Sequence, residues 1–188
     1  MEAMGDKTPA SSALKRPVVL VGMMGSGKTA IGTALAERLG VPFRDTDEAI
    51  VDASRMSIAE IFQRDGEAFF RARESEVLRR LLSLGPGILS TGGGAFLREE
   101  NRAAIEAEGI SVWLRASEPL LWQRVRHKTT RPLLQTDDPR RTLGELLVAR
   151  EPSYAKAALV VDADPGYAIP DMVERVIETL RDAGILET

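Results

Sequence analysis

Short aliphatic runs alternate with amphipathic segments along almost the whole chain. Runs of strand length lie at 16–22, 41–46, 86–91, 110–116 and 158–164. The segments between them carry apolar residues at helical spacing or capping residues, and they predict helices at 28–40, 45–54, 57–66, 66–85, 98–109, 117–128, 140–158 and 169–184. Strands that alternate with helices require a mostly parallel sheet with helices on both faces. The pattern therefore predicts a three-layer α/β fold.

This pattern begins only after the first fifteen residues. They are mostly small and polar, and they lack the long apolar core of a secretory signal. We expect a disordered N-terminal extension over residues 1–15 and a single domain over residues 16–188. A chain of 188 residues is long enough to bury one substantial core.

Composition excludes several classes of function. The formal net charge is −3, whereas a nucleic-acid binder usually carries a strongly basic face. No apolar run approaches the roughly 18 residues that a membrane span needs. Cysteine is absent and His127 is the one histidine, so disulfides, thiolate nucleophiles and Cys- or His-rich metal sites are excluded. The default expectation is a cytoplasmic monomer without a nucleic-acid or membrane partner.

The segment GMMGSGKT at 22–29 matches the phosphate-loop pattern G-x-x-x-x-G-K-[ST], between a predicted strand and a predicted helix. Its glycines let backbone N–H groups curl around a phosphate, and the helix N-terminus adds partial positive charge. Lys28 would reach the β- and γ-phosphates, and the Thr29 hydroxyl would bind Mg²⁺. The chain is predicted to bind a nucleoside triphosphate. Water or a small-molecule hydroxyl could accept the phosphoryl group, but the Asn-Lys-x-Asp stretch of GTPases is absent.

Two carboxylates follow the second predicted strand. Asp45 and Asp47 are two residues apart, so in an extended segment they would share one face. Strand C-termini line the ligand crevice of a parallel α/β sheet. Asp45 would therefore help to hold Mg²⁺, and Asp47 would bind an acceptor hydroxyl and could take its proton. The alternative is that Asp47 only caps the next helix.

Three arginines lie in contexts that suggest anion binding. Arg71 follows two phenylalanines, Arg131 lies in a proline-flanked loop, and Arg150 precedes Pro152. Between residues 115 and 150 basic residues outnumber acidic ones by eight to four, which suits a lid that closes over a phosphate. For Arg79, Arg80, Arg140 and Arg141 we expect ordinary surface salt bridges.

A second glycine-rich segment, STGGGAF at 90–96, follows the third predicted strand. Three consecutive glycines cost backbone entropy, so a group is expected to approach the main chain closely there. A tight turn alone would need one or two glycines.

Taken together, the segments GMMGSGKT, DTD, FFRARE, STGGGAF, TTRPLL and AREPSYAKAA, in this order over residues 22–158, resemble the shikimate kinase family. The resemblance implies a five-stranded parallel sheet in the order 2-3-1-4-5, substrate-binding helices over about 47–80 and a lid over about 128–140. It also implies ATP-dependent phosphorylation of the 3-hydroxyl of shikimate, a step of the chorismate pathway to aromatic amino acids.

The same resemblance implies roles for individual residues. Glu74 would orient Arg71, and Lys28, Asp47 and Arg131 would be catalytic. Thr29 and Asp45 would serve Mg²⁺. The residues implied for shikimate are Asp47, Arg71, Gly93, Gly94 and Arg150. The residues implied for ATP are Gly25, Ser26, Gly27, Lys28, Thr29, Arg124 and Arg131.

Two other functions stay open at this point. A gluconokinase-like enzyme would keep the phosphate loop but would need no pair of arginines for a ring carboxylate. A non-enzymatic nucleotide switch would need neither Asp47 nor the second glycine loop.

Overall fold

The computed structural model describes residues 13–128 and 131–187. Within this region the strands are Val18–Val21 (β1), Phe43–Asp45 (β2), Ile88–Ser90 (β3), Ile110–Arg115 (β4) and Leu159–Asp162 (β5). The helices are Lys28–Leu39 (α1), Thr46–Ser54 (α2), Ile58–Asp65 (α3), Glu67–Leu82 (α4), Glu99–Glu108 (α5), Glu118–Val125 (α6), Pro139–Tyr154 (α7) and Ile169–Asp182 (α8). Short 3-10 turns lie at Ala95–Leu97 and Pro132–Leu134.

The strands form one parallel sheet in the order β2-β3-β1-β4-β5, which confirms the predicted fold class. β1 is central, and Val18 is in register with Ile88 of β3 and Ile110 of β4. All carboxyl ends of parallel strands meet at one edge of a sheet. The phosphate loop after β1, the glycine loop after β3 and the aspartates after β2 are therefore neighbours.

Alternation along β1 divides the core into two layers. Val19 and Val21 pack with Leu89 and Trp113 in the layer covered by helices α2 to α7. Val18 and Leu20 face the opposite side, which α1 and α8 cover. Successive strand residues point to opposite faces, so a strand buried on both faces is aliphatic throughout. All four residues of β1 have no exposed surface.

The ordered domain begins earlier than predicted. Leu14 is 3% exposed and forms an antiparallel bridge with Leu186. The amide of Lys15 donates to the carbonyl of Ile185 over 3.0 Å. The boundary at residue 15 is therefore wrong for residues 13–15, because the apolar side chain of Leu14 closes the α1–α8 layer. The remainder of the predicted extension, residues 1–12, lies outside the described residues.

Helix α7 runs through Pro152 to Tyr154. A proline lacks the backbone N–H that would bond to the carbonyl of Val148, and only two helical residues follow Pro152. The helix ends four residues before the predicted end at 158. No helix in the described part of the chain is long and apolar enough to cross a membrane.

The packing of Leu14 gives a stability prediction. Leu14→Ala removes a buried side chain beside Leu186, so the free energy of unfolding in urea is expected to fall by about 2–3 kcal/mol. Leu84→Ala is the matched control, because Leu84 is 57% exposed. Equal unfolding free energies for the two variants would contradict the burial of the N-terminal segment.

Candidate active site

The phosphate loop joins β1 to the start of α1 and has the backbone that the pattern requires. Gly25 and Gly27 have φ angles of 81° and 93°, in the left-handed region that favours glycine. A β-carbon at Gly25 would also lie 2.7 Å from Cγ1 of Val125. No side chain caps α1, and no acidic residue lies in its first turn. The positive end of this helix is left for a ligand anion.

The side chain of Lys28 forms hydrogen bonds with the backbone of the phosphate loop. Its Nζ donates to the carbonyls of Gly22 and Met23 over 2.7 and 3.0 Å. Burial, followed by the positive charge of Arg131, lowers the pKa of Lys28 to about 8, while Asp47 opposes the shift. A cation held among other cations and away from water favours a bound anion, as the phosphate-loop prediction requires.

The other predicted nucleotide-binding side chains surround this loop. Thr29 is exposed in the first turn of α1, and the Ser26 hydroxyl is buried without a partner among the described residues. Arg124 of α6 donates to the carbonyl of Gly25 over 3.0 Å. Nε of Arg131 is buried and likewise unpartnered, and burial lowers the pKa of both arginines. Residues 129 and 130 of the predicted lid lie outside the described residues.

The two aspartates differ from their predicted arrangement. Asp45 ends β2 and caps α2, with Oδ1 accepting from the amides of Asp47 and Glu48 over 2.8 and 3.2 Å. Asp47 lies inside the first turn of α2, so the two side chains do not share a face of an extended segment. The alternative that Asp47 caps the helix is also wrong, because the strand-like backbone of Asp45 places that residue at the cap.

Asp47 nevertheless has a larger electrostatic effect on Lys28 than Asp45 has. Its Oδ1 is buried without a partner among the described residues. Burial raises the pKa of Asp47, Asp45 raises it further, and Lys28 and Arg71 oppose the shift. A buried carboxylate with an unused oxygen, beside the phosphate loop, is placed to accept a hydrogen bond from a ligand hydroxyl.

Three side chains lie against the second glycine loop. A β-carbon on Gly94 would lie 2.5 Å from both Nη atoms of Arg71, and one on Gly93 would lie 2.7 Å from Nη1 of Arg150. At Gly92 it would meet Oδ1 of Asp47 at 3.1 Å. These three side chains are the predicted acceptor-binding groups. None of the three glycines has a positive φ, so these glycines provide space and not an unusual backbone. The groups that closely approach the glycine backbone in this structure are therefore side chains of the protein itself.

Neighbouring elements hold this loop in place. Nδ2 of Asn101 donates to the carbonyl of Ala95 over 2.8 Å, and the Thr91 hydroxyl donates to the carbonyl of Leu20 over 3.0 Å. The amide of Gly92 donates to Oγ1 of Thr46 over 3.4 Å. Hydrogen bonds to α5, β1 and α2 therefore fix the conformation of a glycine-rich segment whose backbone would otherwise be free to adopt many conformations.

Arg71 and Arg150 enter the site from different helices. Nη1 of Arg71 contacts Oε1 of Glu74 at 2.9 Å, as the resemblance implied. Burial raises the pKa of Glu74, against the opposing charge of Arg71. Arg150 of α7 is 8% exposed and contributes to the lowered pKa of Lys28. The structure thus brings the two arginines to the same loop, although 79 positions separate them in the sequence.

Sequence reasoning missed one residue of this site. Tyr154 is fully buried, and its hydroxyl donates to the carbonyl of Gly93 over 2.6 Å. A signal was present, because Tyr154 is four residues after Arg150 and shares its face of α7.

Three of the four arginines expected at the surface form ion pairs there, and Arg80 is also exposed. Arg140 pairs with Glu118 at 2.9 Å and Arg141 with Glu145 at 3.0 Å, in exposed positions. Arg79 lies 3.6 Å from Glu100. Such exposed pairs contribute little to stability, and they leave these arginines outside the site.

Comparisons with known proteins agree with this geometry. The family model described as "Shikimate kinase" matches residues 24–181. A shikimate kinase of Ruegeria pomeroyi is 60% identical over 170 residues, which are 90% of this chain and 87% of that protein. A solved shikimate kinase of Acinetobacter baumannii, in complex with shikimate, is 36% identical and has a TM-score of 0.84, over 90% of this chain and 94% of that one.

A gluconokinase is also among the similar structures. The enzyme from Sinorhizobium meliloti 1021 is 20% identical with a TM-score of 0.56, over 90% of this chain and 94% of that one. At this identity the likeness extends to the fold alone. The family model and the high-identity relative confirm the resemblance stated from the sequence, and the chain belongs to the shikimate kinase family.

Proposed function

We propose that this chain transfers the γ-phosphoryl group of ATP to the 3-hydroxyl of shikimate, as a step of the chorismate pathway. The observation that carries the proposal is the packing of Asp47, Arg71 and Arg150 against the glycine loop, next to Lys28 of the phosphate loop. A site with one carboxylate and two arginines suits a small acceptor that has hydroxyl groups at one end and a carboxylate at the other.

The arginines would bind the carboxylate of shikimate. Guanidinium groups form paired hydrogen bonds with carboxylates, and partial burial strengthens such bonds. Arg71 is held by Glu74, and Arg150 is nearly buried against Gly93. Backbone N–H groups of Gly93 and Gly94 would complete the contact with the ring.

Asp47 would bind the reacting hydroxyl. Its unpartnered Oδ1 can accept a hydrogen bond from the hydroxyl. Because its pKa is raised, this carboxylate is a stronger base toward the hydroxyl proton than an ordinary aspartate. Positioning contributes most of the catalysis of phosphoryl transfer, so Asp47 would act chiefly by orienting the hydroxyl toward the γ-phosphate.

Lys28 and Arg131 would stabilise negative charge on the transferring phosphoryl group. Both cations are partly withdrawn from water. A cation stabilises a developing negative charge more strongly in such a site than in solution. Arg124, which contacts the carbonyl of Gly25, would stack on the adenine of ATP. Gly25, Ser26 and Gly27 would surround the phosphates.

Mg²⁺ is a further proposed component. The donors present fit it, because Thr29 offers an exposed hydroxyl and Oδ2 of Asp45 has no partner among the described residues. Mg²⁺ commonly keeps several waters and takes one or two protein groups plus phosphates, so the lack of a three-carboxylate cluster in the described residues is consistent. When bound, Mg²⁺ would neutralise charge on the β- and γ-phosphates. A cytoplasmic monomer without nucleic-acid or membrane partners stays a prediction from the sequence.

A coupled ADP-release assay with three acceptor conditions tests the function. Shikimate is expected to support turnover well above the rate without acceptor, while gluconate is not. Lys28→Ala is expected to abolish the shikimate-dependent rate, because the γ-phosphate loses its cation. Turnover with gluconate would favour the gluconokinase-like alternative. ATP binding without any acceptor-dependent turnover would favour a nucleotide switch.

The pKa of Lys28 gives a pH prediction for nucleotide binding. Phosphate binding needs the charged ammonium, and this group loses its proton above a pH of about 8 in the free protein. The affinity for ADP, measured by titration calorimetry, is expected to be level below pH 8 and to weaken by up to about tenfold per pH unit above it. Lys28→Met should bind more weakly throughout and lack this onset. Unchanged wild-type affinity to about pH 9.5 would count against a role for the Lys28 charge.

A further inference from the structure

We propose that Tyr154 is a positioning residue that fixes both the glycine loop and Arg150 for acceptor binding. This inference rests on the proposed function and adds a residue to its acceptor site. Tyr154 would not contact the substrate. It would act through the two groups that do.

The hydroxyl of Tyr154 orients one peptide of the glycine loop. It donates to the carbonyl of Gly93 over 2.6 Å. That carbonyl and the amide of Gly94 belong to the same planar peptide, so fixing one direction fixes the other. Glycine has wide backbone freedom, and consecutive glycines allow the peptide to rotate unless something restrains it. The Tyr154 bond therefore aims the Gly94 N–H.

The same hydroxyl lies beside the guanidinium of Arg150. A β-carbon on Gly93 would lie 2.7 Å from Nη1 of Arg150 and 3.6 Å from Oη of Tyr154, so these groups converge at one place. Burial raises the pKa of Tyr154, while Arg150 acts in the opposite direction through its charge and a hydrogen bond. The phenol keeps its proton for Gly93, and its lone pairs remain available to Arg150.

The ring of Tyr154 is itself held rigidly. The side chain has no exposed surface, and its ring centroid lies 5.9 Å from that of Trp113. Oη also lies 3.9 Å from Sδ of Met23, whose carbonyl accepts from Lys28. The hydroxyl thus stands between the two glycine-rich loops, but its short bond is to the acceptor loop.

Tyr154→Phe tests the inference, since it keeps the ring and removes only the hydroxyl. The KM for shikimate is expected to rise about 5- to 50-fold, as for loss of a buried hydrogen bond, while the KM for ATP stays within about twofold. Tyr167→Phe is the matched control. Tyr167 is 37% exposed, and its hydroxyl accepts from Arg175 of α8 over 3.3 Å.

Amide hydrogen exchange provides a second readout. Exchange at Gly94 is expected to quicken in Tyr154→Phe, because the peptide gains freedom, and to stay unchanged in Tyr167→Phe.

An unchanged shikimate KM in Tyr154→Phe would overturn the inference. Equal increases in the KM values for shikimate and ATP would also overturn it, because they would indicate a general loss of structure. If the wild-type chain does not phosphorylate shikimate, the proposed function itself fails. If it does and Tyr154→Phe matches it, only this inference fails.

Discussion

The site depends on how closely side chains can approach a backbone without β-carbons. At Gly94 and Gly93 a β-carbon would fall 2.5 and 2.7 Å from the guanidinium nitrogens of Arg71 and Arg150. Substitution would push these groups away from the loop, and the backbone N–H groups and the cations could then no longer face one small ligand. The three glycines are therefore a spatial requirement of the acceptor site, and their φ angles need no glycine.

Electrostatics supplies the second constraint. Burial lowers the pKa of Lys28, the charges of Arg131 and Arg150 lower it too, and Asp47 opposes the shift. Burial raises the pKa of Asp47 on the same grounds, by disfavouring its charged form. Without ligands, the burial and mutual repulsion of these cations cost free energy. A bound polyanionic nucleotide and a carboxylate ligand would offset that cost. Functional sites commonly carry such perturbed groups.

Much of this arrangement could be predicted from the sequence, for physical reasons that differ by element. β1 is predictable because burial on both faces requires an aliphatic run, and the phosphate loop because its glycines need positive φ angles. The geometry of Asp47 was not predictable, because it depends on which aspartate caps α2. That choice depends on where β2 ends, and a sequence pattern locates the end of an element only to within one or two residues. Leu14 depends on a partner 172 positions away, which no local pattern encodes. The spacing of Tyr154 from Arg150 indicates a shared face of α7, but it does not identify Gly93, 61 positions away, as the hydrogen-bond partner.

Shikimate affinity of Gly94→Ala tests the central claim most directly. The native backbone at Gly94 has φ −94° and ψ −14°, which alanine adopts without strain, so the substitution adds only a methyl group beside Arg71. Titration calorimetry is expected to give about tenfold weaker shikimate binding or worse, equivalent to about 1.4 kcal/mol, with ADP binding and unfolding free energy nearly unchanged. Gly144→Ala, at a helical position with open space around it, is the matched control. Wild-type shikimate affinity in Gly94→Ala would contradict the claim that bare backbone positions the acceptor-binding arginines.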